Sequence, residues 1–234
     1  MILRPYQFLQ VCLFVSWLWL AMAGCTQSET PLTSRENGFV DLYLLGKWHD
    51  LELNDQEQLV TGDLAYDISL ADNGDLRVFQ YGEKDTDYHE FSVYSSRLNG
   101  KKYINARLVA CTGCSEQERG NLAANYCPYQ IVQYATFLPR KLATHVADEV
   151  GDEVANALVE LSTASRGQMV FMASMNSDFI KGAILDEAIA GDSNEDDAPC
   201  ITSREDVLQQ FLLQHDLDIY PTDGWGVLIR TSNL

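Results

Sequence analysis

Over residues 46–109 apolar side chains recur with a two-residue period, and the stretches that carry them are separated by Asx-Gly turns. This pattern leaves little besides antiparallel sheet. A strand sends successive side chains to opposite faces, and a tight Asx-Gly turn folds the chain back beside itself. The first strand opens at Gly46 and carries Trp48, Asp50, Leu51, Glu52 and Leu53 in polar and apolar alternation. Leu64, Tyr66, Ile68 and Leu70 alternate next, Asp72-Asn73-Gly74-Asp75 turns, and residues 76–81 return. A second hairpin places Phe91 and Val93 on one parity, turns at Asn99-Gly100, and comes back with Ile104, Ala106 and Leu108 on one face. Residues 129–137 and 142–146 read as two further short strands, for six to eight in all.

After residue 150 the period lengthens. Val154, Ala157, Leu158 and Leu161 share one helical face, residues 168–172 read as a buried strand, and residues 177–189 form a second amphipathic helix. Thr202-x-x-Glu205 caps a third helix with Val207, Leu208, Phe211 and Leu212 as its stripe, and residues 224–230 close the chain as a strand. The expected class is α+β, an antiparallel β-sheet or up-and-down β-barrel with several short helices in the C-terminal half. Residues 39–234 form one globular domain. The 46% hydrophobic content supports a core, and 34 acidic against 16 basic side chains, a net charge of −18, exclude nucleic acid as a partner.

Residues 1–24 have the form of a signal peptide. Arg4 precedes an apolar run over residues 8–23, broken by Gln10 and Ser16, that falls short of the roughly 20 residues of a spanning helix. The run ends in Met22-Ala23-Gly24-Cys25, which resembles the lipobox of bacterial lipoprotein precursors. The resemblance implies that Cys25 becomes the mature N-terminus, carrying a diacylglyceryl thioether and an N-acyl chain that anchor it in a lipid bilayer. In that family an Asp after the cysteine favours the inner membrane. Thr26 stands here, so the implied location is the periplasmic face of the outer membrane. Residues 25–38 are polar and aperiodic, the pattern of a lipidated flexible tether.

Cys12 leaves with the signal, and acylation occupies Cys25. Cys111, Cys114, Cys127 and Cys200 remain in an oxidising compartment, where an even count favours two disulfides in any of three connectivities. The preferred reading sends Cys111 and Cys114 outward, each to Cys127 or Cys200. Cys111-Thr112-Gly113-Cys114 followed by Ser115-x-x-Glu118 also has the spacing of a thioredoxin-like redox motif, but Gly120 is expected to stop the helix after one turn. A zinc site lacks its second Cys pair. No metal or cofactor is assigned.

Leu45-Gly46-x-Trp48 resembles the opening strand of lipocalin-like and other calycin barrels, in which the Gly permits close packing and the Trp plugs the closed end. Thr86-Asp87-Tyr88 is similar to a second motif of that family, though it comes earlier in the chain than the family places it. The body is also similar to bacterial lipoproteins that open on Leu-Gly-x-Trp and carry an antiparallel sheet. The acidic run at residues 192–197 lacks the Gly and the final Glu of a calcium loop and reads as a solvated loop. Four histidines are scattered, and there is no serine nucleophile elbow, His-Glu-x-x-His helix or phosphate-binding Gly-rich loop, so no catalytic residue is assigned and the chain reads as non-enzymatic. Two functions follow. One is an interaction or scaffold protein of the envelope with a protein partner. The other is a lipocalin-like carrier of a small apolar ligand, with Trp48, Tyr66, Phe79, Phe91 and Ile104 lining its cavity.

Overall fold

After a two-residue strand β1 (Gln27–Ser28), the chain lays down seven strands, each hydrogen-bonded to the next: β2 (Gly46–Leu53), β3 (Leu59–Leu70), β4 (Leu76–Tyr81), β5 (Tyr88–Leu98), β6 (Lys101–Cys111), β7 (Tyr129–Ala135) and β8 (Met169–Ala173). Two short strands follow, β9 (Gly191–Asp192) and β10 (Cys200–Ile201), and then β11 (Trp225–Arg230) enters between β8 and β2. The result is a closed antiparallel barrel of eight strands, β2 to β8 plus β11. The computed structural model describes residues 26–54, 58–82, 87–164, 168–193, 198–221 and 224–231. The signal segment, the lipobox with Cys25, Thr86 and most of the acidic run lie outside the described residues.

The hairpins form where the turn residues direct. Asn99 and Gly100 both have positive φ (49° and 78°), the conformation whose twist matches paired strands, and Gly74 takes φ +84° between β3 and β4. Between β2 and β3 the ladder is irregular. His49 faces Ala65 and Leu51 faces Thr61, so Gly62, Asp63 and Leu64 together oppose the single residue Asp50.

The ends of the barrel differ. The β5–β6 turn and the starts of β2 and β4 lie at one end, which residues 39–45 plug. Phe39 is bridged to Ser95, a one-turn 3-10 helix spans Leu42–Leu44, and the Trp48 indole, 1% exposed, donates to Leu44 O at 2.8 Å. The Arg230 guanidinium lies 4.6 Å over the Trp48 ring and donates to Tyr43 O. Asp41 is tied down by Lys102 Nζ at 2.7 Å, Tyr134 Oη at 2.8 Å and the Tyr43 N–H at 3.2 Å. Burial works to raise the Asp41 pKa, but these donors outweigh it and hold the carboxyl below its ordinary value. Gly46 has φ +120°, a conformation that L side chains rarely adopt, and this accounts for the glycine two residues before Trp48.

Helices cover the outside. α1 (Glu116–Ala124) follows β6, and α2 (Arg140–Val150) and α3 (Asp152–Ala164) lie between β7 and β8. Leu142 and Leu158 of this pair pack on the outward Met169 and Phe171 of β8. Past β8, α4 (Ser177–Leu185), α5 (Glu205–Gln214) and α6 (Asp216–Ile219) bury Ile180, Leu208, Phe211, Leu212 and Ile219 against Tyr103, Ile131 and Ala173 of β6, β7 and β8. Full burial of each such side chain contributes about 1.5–3 kcal/mol, so most of the helical stability is tertiary.

The structure departs from the sequence expectations at three places. Residues 142–146 belong to helix α2, because Leu142 and Val146 stand one turn apart and both join the apolar layer on β8. Gly120 lies inside α1, which continues to Ala124. Residues 26–38 are no flexible tether. β1 pairs in parallel with β10 and antiparallel with Tyr129 and Gln130, and Leu32 is fully buried. The Leu32 N–H donates to Asn105 Oδ1 at 2.7 Å and its carbonyl accepts from Gln209 Nε2 at 2.8 Å, so this backbone is satisfied by the body it packs on.

Candidate functional site

Side chains of one parity point into the barrel. Trp48, Tyr66, Ile68, Leu76, Val78, Phe91, Val93, Ile104, Ala106, Val132, Val170, Met172 and Leu228 form this inner apolar set, and they leave an apolar chamber of about 150 Å³. Toward the unplugged end a second, more polar space of about 580 Å³ adjoins the first, and Leu64, Phe91 and Gln130 line both. Gln80, His89, Arg107, Asn121, Asn125 and Gln27 are among its lining residues. The smaller chamber alone holds a ring or a short alkyl chain, whereas the two together reach the size of an ordinary small-molecule pocket.

Of the five side chains expected at a ligand cavity, the structure brings Trp48, Tyr66, Phe91 and Ile104 together on the chamber wall. Phe79 does not join them. Leu76, Val78 and Gln80 take the inward parity of β4, so Phe79 faces outward, 5.5 Å from the Tyr88 ring and under the Arg77 guanidinium.

The rim of the mouth is held by the cysteines, in a pairing that corrects the expected one. Cys111 bridges Cys114, and Cys127 bridges Cys200, each pair with Cα atoms 5.9 Å apart. Gly113, at φ +75°, reverses the chain so that Cys111 and Cys114 meet each other. The Thr112 N–H donates to Tyr88 O at 2.9 Å and the Tyr88 N–H to Thr112 Oγ1 at 3.0 Å, which fixes the turn to β5. Arg107 Nη2 donates to Asn125 Oδ1 at 2.7 Å and ties the end of α1 to β6.

One residue outside the expected ligand-lining set is central. Asp50 is completely buried on the inner face of β2, two residues beyond Trp48, and it is the one carboxylate among the described residues lining the apolar chamber. Its Oδ1 accepts the Leu64 N–H at 3.0 Å, a donor freed by the irregular β2–β3 ladder. Gly62 makes room for it, since a Cβ there would come within 2.5 Å of Asp50 Oδ2. Asp50 Oδ2 and Glu52 Oε1 are buried and receive no donor from the rest of the protein, and the two carboxyls hydrogen-bond each other, while Gln80 Oε1 is buried and unpaired at the wall of the polar space. Burial, reinforced by the neighbouring Glu52 carboxyl, pushes the Asp50 pKa from 3.8 to about 7. Parity was the available signal, because Trp48, Asp50 and Glu52 alternate on one strand and an inward Trp48 implies an inward acid.

Among the described residues no group of three or more His, Cys, Asp or Glu side chains could hold a metal ion, and no helix is long and apolar enough to cross a membrane. The chain matches no known protein family, no curated protein and no solved structure.

Proposed function

We propose that this protein is a carrier of a small apolar ligand, held at the periplasmic face of the outer membrane through acylated Cys25. The observation that carries the reading is an apolar chamber, plugged at one end, that shares three wall residues with a polar mouth. A scaffold protein of the envelope has no use for internal space, and filling it would stabilise the barrel by restoring lost packing contacts. The plugged end directs access to the mouth. Gln27 lines that mouth, so a lipid on Cys25, two residues away and within about 7 Å by chain length, would present the opening to the bilayer.

The test uses N-phenyl-1-naphthylamine, an uncharged fluorophore that brightens in apolar surroundings, titrated into the protein made from the full chain. Saturable binding of about one equivalent is expected. Ala106→Trp, which fills the chamber from β6, should abolish it while a thermal melt shows the barrel folded. Binding that survives this substitution, or no binding to the wild-type protein, refutes the carrier reading.

A further inference from the structure

The polar atoms around Asp50 are unevenly matched. Asp50 Oδ2 and Glu52 Oε1 are buried acceptors that receive no donor from the rest of the protein, the two carboxyls hydrogen-bond each other through a shared proton, and Asp50 is 0% exposed. Buried polar atoms are normally paired, and an unmet acceptor in a closed interior is costly, so groups with donors to offer are favoured there. The contrast with Asp41 at the plugged end is direct. That carboxylate has an ammonium, a phenol and a backbone N–H, whereas Asp50 has only backbone support on Oδ1 and another carboxyl beside it.

The position is equally specific. Asp50 lines the apolar chamber, and Leu64, whose N–H holds it, lines both that chamber and the polar mouth. The space Asp50 occupies exists because residue 62 is glycine.

We propose that the ligand is an apolar amine, its hydrocarbon part in the chamber above Trp48 and its ammonium displacing the proton shared by the Asp50 and Glu52 carboxyls. This deepens the carrier reading and rests on it. An ammonium brings up to three donors and a positive charge to a site that offers acceptors and two carboxyls, and charge-assisted hydrogen bonds are about twice as strong as neutral ones. An alcohol brings one donor and a further acceptor. A carboxylate ligand adds a like charge and no donor. With no ligand bound, a proton on the acid pair takes the place of the ammonium, in keeping with the raised proton affinity of Asp50. The net charge of −18 works in the same direction, concentrating cations rather than anions near the surface.

The test is competition against N-phenyl-1-naphthylamine at pH 8 by three probes that share an alkyl chain: octylammonium, 1-octanol and octanoate. The wild-type protein should bind octylammonium on the order of 30-fold more tightly than octanol, with octanoate weakest. In Asp50→Asn the ratio of amine to alcohol should fall to within about threefold. Asparagine keeps an oxygen for the Leu64 N–H, and a thermal melt confirms folding. Equal affinity for octylammonium and octanol in the wild-type protein overturns the proposal and leaves the carrier reading standing, and this comparison holds even if the variant does not fold. A preference for octanoate, or one for the amine that persists in folded Asp50→Asn, also overturns it. Failure of the naphthylamine itself to bind removes the carrier reading and this inference together.

Discussion

Replacing Asp50 by Asn should change how stability depends on pH, in a direction set by the barrel interior. In the folded protein the Asp50 pKa is pushed from 3.8 to about 7 by burial and then by Glu52. Between these values the folded state holds a proton that the unfolded state has lost, so the folded state binds more protons and stability falls as pH rises from about 4 through about 7. At about 1.36 kcal/mol for each tenfold change in acidity, the full loss is about 4 kcal/mol, more than half of it between pH 5 and pH 8. An asparagine side chain cannot ionise, and the variant escapes this loss. Urea unfolding of the full-chain protein, followed by far-ultraviolet circular dichroism at pH 5 and pH 8, should therefore show the stability of Asp50→Asn relative to wild type rising by about 2–3 kcal/mol over that interval. Glu52→Gln removes the neighbouring charge and leaves the burial, so its slope should be intermediate. Parallel pH profiles for wild type and Asp50→Asn would refute the argument that Asp50 is held protonated by the fold.

Two further outcomes test the frame around the cavity. The Cys127–Cys200 bridge closes a separation of 73 residues and Cys111–Cys114 one of 3, so in the chain-entropy account Cys127→Ser with Cys200→Ser should cost about 4.5 kcal/mol and the corresponding double change at Cys111 and Cys114 about 2 kcal/mol, read from paired urea melts. Equal losses would show that chain entropy is not the source of the difference. Cys25→Ser should abolish incorporation of labelled palmitate and release the protein from the membrane fraction, and labelling that persists would exclude Cys25 as the acylated residue.

Much of the architecture was legible in the sequence because it depends on local stereochemistry. The two-residue period of β3 to β6, the positive-φ demand met by Asn99-Gly100 and the helical stripes of α3 and α5 each arise within a dozen residues, where backbone sterics and side-chain direction act without distant help. The inward set of Trp48, Tyr66, Phe91 and Ile104 follows from the same alternation. Phe79 shows the limit. Val78 and Phe79 are both apolar, and only the pairing of β4 within a closed ring decides which of them faces the cavity.

What the tertiary structure alone decided involves partners far apart in the chain. β11 shuts the barrel against β2, and β1 lies between β7 and β10 on backbone that carries no periodic signal. Cys127 finds Cys200 because β10 returns to the mouth beside β1, next to the start of β7, whereas Cys111 turns onto Cys114 at Gly113. Helix α2 holds Leu142 and Val146 against β8, an apolar layer that a five-residue window cannot display. Asp50 is the clearest case. Local pattern marks it as a polar strand residue, and it becomes a buried acid paired with Glu52 only once closure removes water from the inner face and the β2–β3 irregularity supplies the Leu64 N–H. Local sterics repeat along a chain and can be read there, whereas burial is a property of the closed ring, and the chemistry of this interior depends on burial.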